Sequence, residues 1–194
     1  MTMLLPPTAA DKATVRKIDP FAGLLSYLVP GLGQIVQGRV GKGLLFLVSI
    51  YGLFFYGMFL GQWSNVFLAD TAANAPAWNL PRWVNNLYNR PHFAGQFWVG
   101  IAAWPAIWQY KHQPPNDIRG PIADRKDFIA KFEAAPNETE LNDLQRDSDK
   151  RWDLGWVYTV IAGVLNVLVI YDALAGPAFG AREPAKDEKE LATA

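Results

Sequence analysis

The sequence predicts an all-α integral membrane protein. Three firm transmembrane helices, a kinked or re-entrant first helix and a short helical soluble segment between the last two spans make up the expected fold. Three observations predict it. Apolar residues gather in four blocks of about 16 to 20 residues, near the roughly 20 that a helix needs to cross a ~30 Å hydrocarbon core. Charges are scarce over Phe21–Leu60, Phe93–Tyr110 and Leu154–Tyr171, and crowd between those stretches. Trp63, Trp108, Tyr110, Trp152, Trp156 and Tyr171 stand near block ends, where amphipathic rings favour the headgroup zone. The competing reading is a soluble helical domain. It would have to bury two neighbouring uncharged helices, apolar all round, in a core larger than 194 residues supply.

A polar N-terminal arm, residues 1–20, opens the chain. Its "MTMLLPPTAADKATVRK" is no signal peptide, because the cations follow a very short apolar patch. Residues 21–61 form a membrane helical hairpin. Its first block, Phe21–Val36, contains Pro30 and Gly31 and is short for a span, so it either crosses with a bend or enters and returns. Its second block, Leu44–Gly61, is free of charge. Between them, "GQIVQGRVGKG" supplies glycines at 38, 41 and 43 for a sharp reversal through positive φ, with Arg39 and Lys42 at the lipid phosphates.

Residues 62–92 are an aromatic interfacial linker, in which "PRWVNNLYNRP" makes either a short helix after Pro81 or a covering loop. Residues 93–110 are read as a transmembrane helix. Residues 111–153 are the soluble helical segment, with a partial helical stripe from Ile122, Phe128, Ile129 and Phe132. Asn137 and Glu140 then form a capping-box pattern that outweighs the overlapping glycosylation triplet "NET". Residues 154–177 are the last transmembrane helix and 178–194 a tail. The cations at Lys111, Lys150 and Arg151, with Arg39 and Lys42 in the first turn, place residues 111–153 and that turn together in the cytoplasm.

Pro30, Gly31, Leu32, Gly33, Gln34, Gly38, Lys42 and Gly43 spell P-G-L-G-Q-x-x-x-G-x-x-x-K-G. This resembles the hairpin of the two-transmembrane-hairpin domain, and more closely an uncharacterised bacterial membrane-protein family with that signature. Val36 and Gln37 stand where that family often carries an aromatic residue. Trp152–Pro177 is similar to the closing segment of the same family. The resemblance implies a membrane location and a hairpin built on Pro30, Gly31, Gly33, Gln34, Gly38, Arg39, Lys42 and Gly43. It implies no activity and transfers no catalytic residue.

Enzyme chemistry finds little material. The absence of cysteine excludes disulfides, thiolate nucleophiles and cysteine-held metals. "GLGQIVQG" superficially matches a dinucleotide fingerprint, but sits in a membrane hairpin. His92 and His112 flank the third block, so a spanning helix would hold them at opposite faces, unable to share a metal. His92 is either a ligand for a chlorin pigment or haem at the boundary, or an interfacial histidine bonded to loop or headgroup. Gly155, Thr159 and Gly163 repeat every four residues, as do Gly57 and Gly61, and Asn166 continues the first stripe; such faces let helices approach closely. Asn166 and Asp172 read as packing groups rather than as an ion path, because the other blocks hold no second titratable residue.

A net charge of zero gives no pull toward nucleic acid. The expected function is therefore non-enzymatic: a scaffold or accessory subunit in the bacterial cytoplasmic (inner) membrane. Its partners would be membrane lipids and other membrane-protein subunits, a respiratory or photosynthetic complex among them. The alternative is an oligomeric small transporter or channel subunit.

Overall fold

The computed structural model describes residues 18–68, 82–112, 121, 124, 128–147 and 150–176. Every regular element among them is helical. Two helices, α3 (Val40–Leu60) and α9 (Arg151–Ala175), are long and apolar enough to cross a membrane. At about 1.5 Å per residue they reach ~31 and ~37 Å. They run antiparallel: Lys42 lies beside Asp172 at one end, and Gly57 faces Gly155 at the other. A Cβ added to Gly57 would come within 2.7 Å of the Gly155 carbonyl oxygen, so the absence of side chains sets how closely the two helices approach.

The first apolar block folds back on itself. α1 (Pro20–Leu28) starts with Asp19 accepting a hydrogen bond from the Ala22 N–H at 3.1 Å, and Pro20 fits the first turn, where no N–H partner is required. Val29, held extended before Pro30, ends the helix. Gly31 then takes φ +83°, and α2 (Leu32–Val36) returns beside α1. The return is closed by three hydrogen bonds at one level: the Asp19 N–H donates to the Leu174 carbonyl, and Gln37 Nε2 donates to Asp19 Oδ2 and the Ala173 carbonyl. The block is therefore two short helices that reverse at Gly31, not one continuous helix.

The turn glycines divide by role. Gly38 does adopt φ +81°, and it joins α2 to α3. Gly41 and Gly43 lie inside α3, with no positive φ. The expectation that both help the chain reverse is corrected. Gly43 instead provides clearance, because its Cα region meets the Gly31 carbonyl.

The third apolar block is not one helix, and this corrects the expectation of a third span. α5 (Pro91–Gln96) runs into a 3-10 helix (Phe97–Ala103), broken at Gly100 with φ +85° and ψ −134°; α6 (Trp104–His112) then returns. Tyr110, near the end of α6, accepts a hydrogen bond from Asn86 of α4 (Arg82–Asn89), just before α5 begins. Phe93 and Tyr110 line the same cavity. His92 and His112 therefore sit at one end of the bundle, not at opposite ends. Pro105, in the first turn of α6, is tolerated there and does not cause the break.

This second hairpin enters from the end where α3 finishes. That end is built from Gln62–Leu68, α4, α7 (Phe128–Lys131) and α8 (Glu138–Asp147). Much of it is core. Val66, Phe67, Leu68, Glu133, Ala134 and Ala135 are buried, although the first three lie in the expected linker and the others in the expected soluble segment. Asn137 accepts from the Glu140 N–H at 2.8 Å and caps α8. The length of α3 separates Arg39 and Lys42 from residues 128–147 and 150, so the sequence reading that grouped them on one side is also corrected. The side chain of Trp83, as well as Trp78 and the arm and tail beyond residues 18 and 176, lies outside the described residues.

Candidate functional site

The two hairpins come from opposite ends and meet on one residue. Asn166 Nδ2, on the buried face of α9, donates to the Ser26 carbonyl at 3.1 Å and the Trp98 carbonyl at 2.8 Å. Ser26 is four residues before Pro30, which has no N–H, so its carbonyl has no donor within the helix. The Asn166 amide supplies one. Beside it, Gly100 passes so close to the end of α1 that an added Cβ would strike the Tyr27 carbonyl.

From this joint a line of buried polar groups runs toward the α1 end. Ser26 Oγ donates to Gln34 Oε1 at 3.0 Å, and Gln34 Nε2 donates to the Val169 carbonyl and Asp172 Oδ2. Asp172 closes the line with Arg39 at 2.8 Å and Lys42 at 2.7 Å. The signature residues thus have structural roles: Gly31, Gly33 and Gly43 allow the approaches, Gln34 ties the hairpin to α9, and Arg39 and Lys42 neutralise its carboxylate.

Toward the other end, Gln96 Nε2 donates to Thr159 Oγ1 at 2.7 Å and the Asn65 carbonyl at 3.2 Å, while Asn65 Nδ2 donates to the Gly57 carbonyl at 3.1 Å. Gly61 packs on the Asn65 side chain, and Gly163 on the Gly95 carbonyl. The stripe Gly155, Thr159, Gly163 and Asn166 is therefore filled by α3, α5 and α1 of the same chain.

Glu133 lies beyond, with no exposed surface. Its Oε2 accepts the Ala106 N–H at 2.7 Å, one of the donors that the first turn of α6 leaves free. Its own N–H reaches the Trp63 carbonyl at 2.8 Å. Burial pushes its carboxyl up to about 9, partly countered by the Ala106 bond. Sequence reasoning missed this group, because "KFEAAP" reads as a solvated amphipathic helix and the burial comes from Trp63 and Ala106, far away in the chain.

A consequence follows for pH. Unfolded, Glu133 ionises near 4.5; folded, it keeps its proton to about 9. The native state therefore holds one more proton between those values, and stability falls as pH rises through that window. Glu133→Gln, which keeps an acceptor for Ala106, should flatten the fall and stabilise the protein by about 2 kcal/mol or more at pH 8. Melting temperatures of both forms from pH 5 to 9 check this; parallel curves would contradict it.

The side-chain oxygens Asn65 Oδ1, Gln96 Oε1, Glu133 Oε1 and Asn166 Oδ1 are buried and accept no hydrogen bond from the described residues. The histidines stand apart. His92 is half-buried with its ring 5.2 Å from that of Trp156, and burial, then the Arg90 charge, lowers its pKa. His112 stacks on Trp108 at 4.9 Å. Among the described residues no three His, Asp or Glu side chains gather as a metal site.

Neither a curated protein nor a solved structure matches the chain. A family model does match it, over residues 21–186, which takes in both hairpins and both long helices. The chain thus belongs to a family of unknown function, DUF6677.

Proposed function

We propose that the protein is a non-enzymatic integral membrane protein of the bacterial cytoplasmic membrane, acting as a small transporter or channel subunit that passes a monovalent cation. α3 and α9 cross the bilayer, and the two hairpins re-enter from opposite faces. Only 28% of the most apolar stretch of α3 and 33% of that of α9 are buried, whereas a soluble core helix would be mostly buried. Leu45, Val48, Phe59 and Leu168 point outward, each about 60% exposed.

The observation that carries the conduction reading is the polar line. Polar groups at hydrocarbon depth are costly and rare without a role. Here each side-chain amide nitrogen in the line has an acceptor, while Asn65 Oδ1, Gln96 Oε1 and Asn166 Oδ1 are buried and accept no hydrogen bond from the described residues. Carbonyl-type oxygens are the ligands that replace a cation's hydration shell. Broken helices meeting at mid-depth are the form such sites take, because irregular backbone is tolerated there only when protein or a cavity surrounds it.

Close-packing faces are one support for the accessory-subunit reading, and the stripe at Gly155, Thr159, Gly163 and Asn166 is occupied within the chain. Proteoliposomes loaded with a sodium- or potassium-sensitive dye test the proposal. Uptake should exceed that of protein-free liposomes. No uptake by folded, inserted protein would reject conduction and return the accessory reading, whose own test is co-purification from native membranes.

A further inference from the structure

Two apolar grooves flank α6. One, of about 780 Å³, runs past Tyr27, Ile101, Trp104 and Trp108 to His112. The other, of about 590 Å³, lies between the arms of the second hairpin and is walled by Leu87, Phe93, Ala94 and Tyr110. Both volumes fall within the ~300–1,000 Å³ of ordinary ligand sites. Phe97, Ile107 and Lys111 line both grooves, so a shared apolar ridge parts them and one exposed cation serves both.

We propose that the grooves hold the two acyl chains of a single anionic phospholipid, with its headgroup phosphate on the Lys111 ammonium. The inference rests on the membrane reading above, though not on conduction. Two grooves sharing one cation match two tails on one anionic head. A single-chain lipid fills one groove only, and a zwitterionic headgroup gains less from a lone ammonium. The carbonyls of the last turn of α6 would repel an anion, so the site depends on Lys111. The ridge adds selectivity, because a rigid flat ligand cannot straddle it. Displacing apolar surface from lipid tails gains little, so preference must come from the headgroup charge and from the fit of both chains.

Native mass spectrometry of the protein in mild detergent tests this. Dioleoylphosphatidylglycerol, dioleoylphosphatidylcholine and oleoyl-lysophosphatidylglycerol are added in equal amounts. One dioleoylphosphatidylglycerol should be retained, at least fivefold over either competitor. Lys111→Gln should bring it down to the phosphatidylcholine level. Ala94→Trp, filling one groove, should bring it down to the lysolipid level and leave lysolipid retention unchanged. Helical content and melting temperature establish that both variants remain folded. Equal retention of all three lipids, or unchanged selectivity in folded Lys111→Gln, would overturn the site and show only a lipid annulus. Failure of the membrane reading looks different: the protein would stay soluble and monodisperse without detergent.

Discussion

Gly100→Val should strongly destabilise the native fold. Gly100 holds φ +85° and ψ −134°, a region open to glycine and costly for a β-branched residue. An added Cβ would also strike the Tyr27 carbonyl and come within 2.7 Å of the Leu28 carbonyl oxygen. Backbone strain of about 1–3 kcal/mol and overpacking of a further 1–3 kcal/mol act together, against a total stability of roughly 5–15 kcal/mol. Gly38→Val is the matched control. Gly38 has φ +81°, but nothing lies within 4 Å of an added Cβ, so only the strain should register. Thermal unfolding in detergent should rank Gly100→Val far below Gly38→Val. Equal losses would mean that the two hairpins do not touch at Gly100.

Gly163→Leu should be the next most damaging change. Its side chain would occupy the place of the Gly95 carbonyl and crowd the Gln96 Cα at 3.3 Å, prising the second hairpin from α9 at a cost of about 2–4 kcal/mol. Asn166→Leu should cost less, about 1–3 kcal/mol: it removes two hydrogen bonds and leaves the Ser26 carbonyl with no donor, since Pro30 has none. Both losses should appear in the isolated protein, as lower melting temperatures and lower folded yield. Intact stability combined with loss of a co-purifying partner would instead make the stripe an intermolecular face.

How far the sequence reveals this architecture depends on what each signal measures. The helical class and the two long helices are legible because hydropathy and length report them directly. The signature at Pro30–Gly43 marks a reversal, yet the chain reverses at Gly31 and Gly38, while Gly43 supplies clearance. A glycine allowed positive φ and a glycine allowing close approach are the same letter. The second hairpin is hidden more deeply. Phe93–Tyr110 has the length and apolarity of a span, and hydropathy counts residues without registering direction. Pro105, the visible breaker, sits harmlessly in the first turn of α6, and Gly100 does the breaking. In the candidate site, Asn166 and Asp172 are legible as polar residues in an apolar run. Their partners Ser26, Gln34 and Gln96 acquire meaning only when the hairpins bring them to α9.

The central claim is that α3 and α9 alone cross the membrane, with both hairpins returning to the side they enter. The chain has no cysteine, so single-cysteine variants need no background substitutions. Gly41, with nothing within 4 Å of its Cβ position, and the exposed Gln145 of α8 mark the two ends. In intact cells treated with a membrane-impermeant maleimide, only one of Gly41→Cys and Gln145→Cys should label, and permeabilisation should expose the other. If both label, or both are protected until permeabilisation, the two residues share a side, Phe93–Tyr110 crosses the membrane as a third span, and the opposed hairpins do not exist.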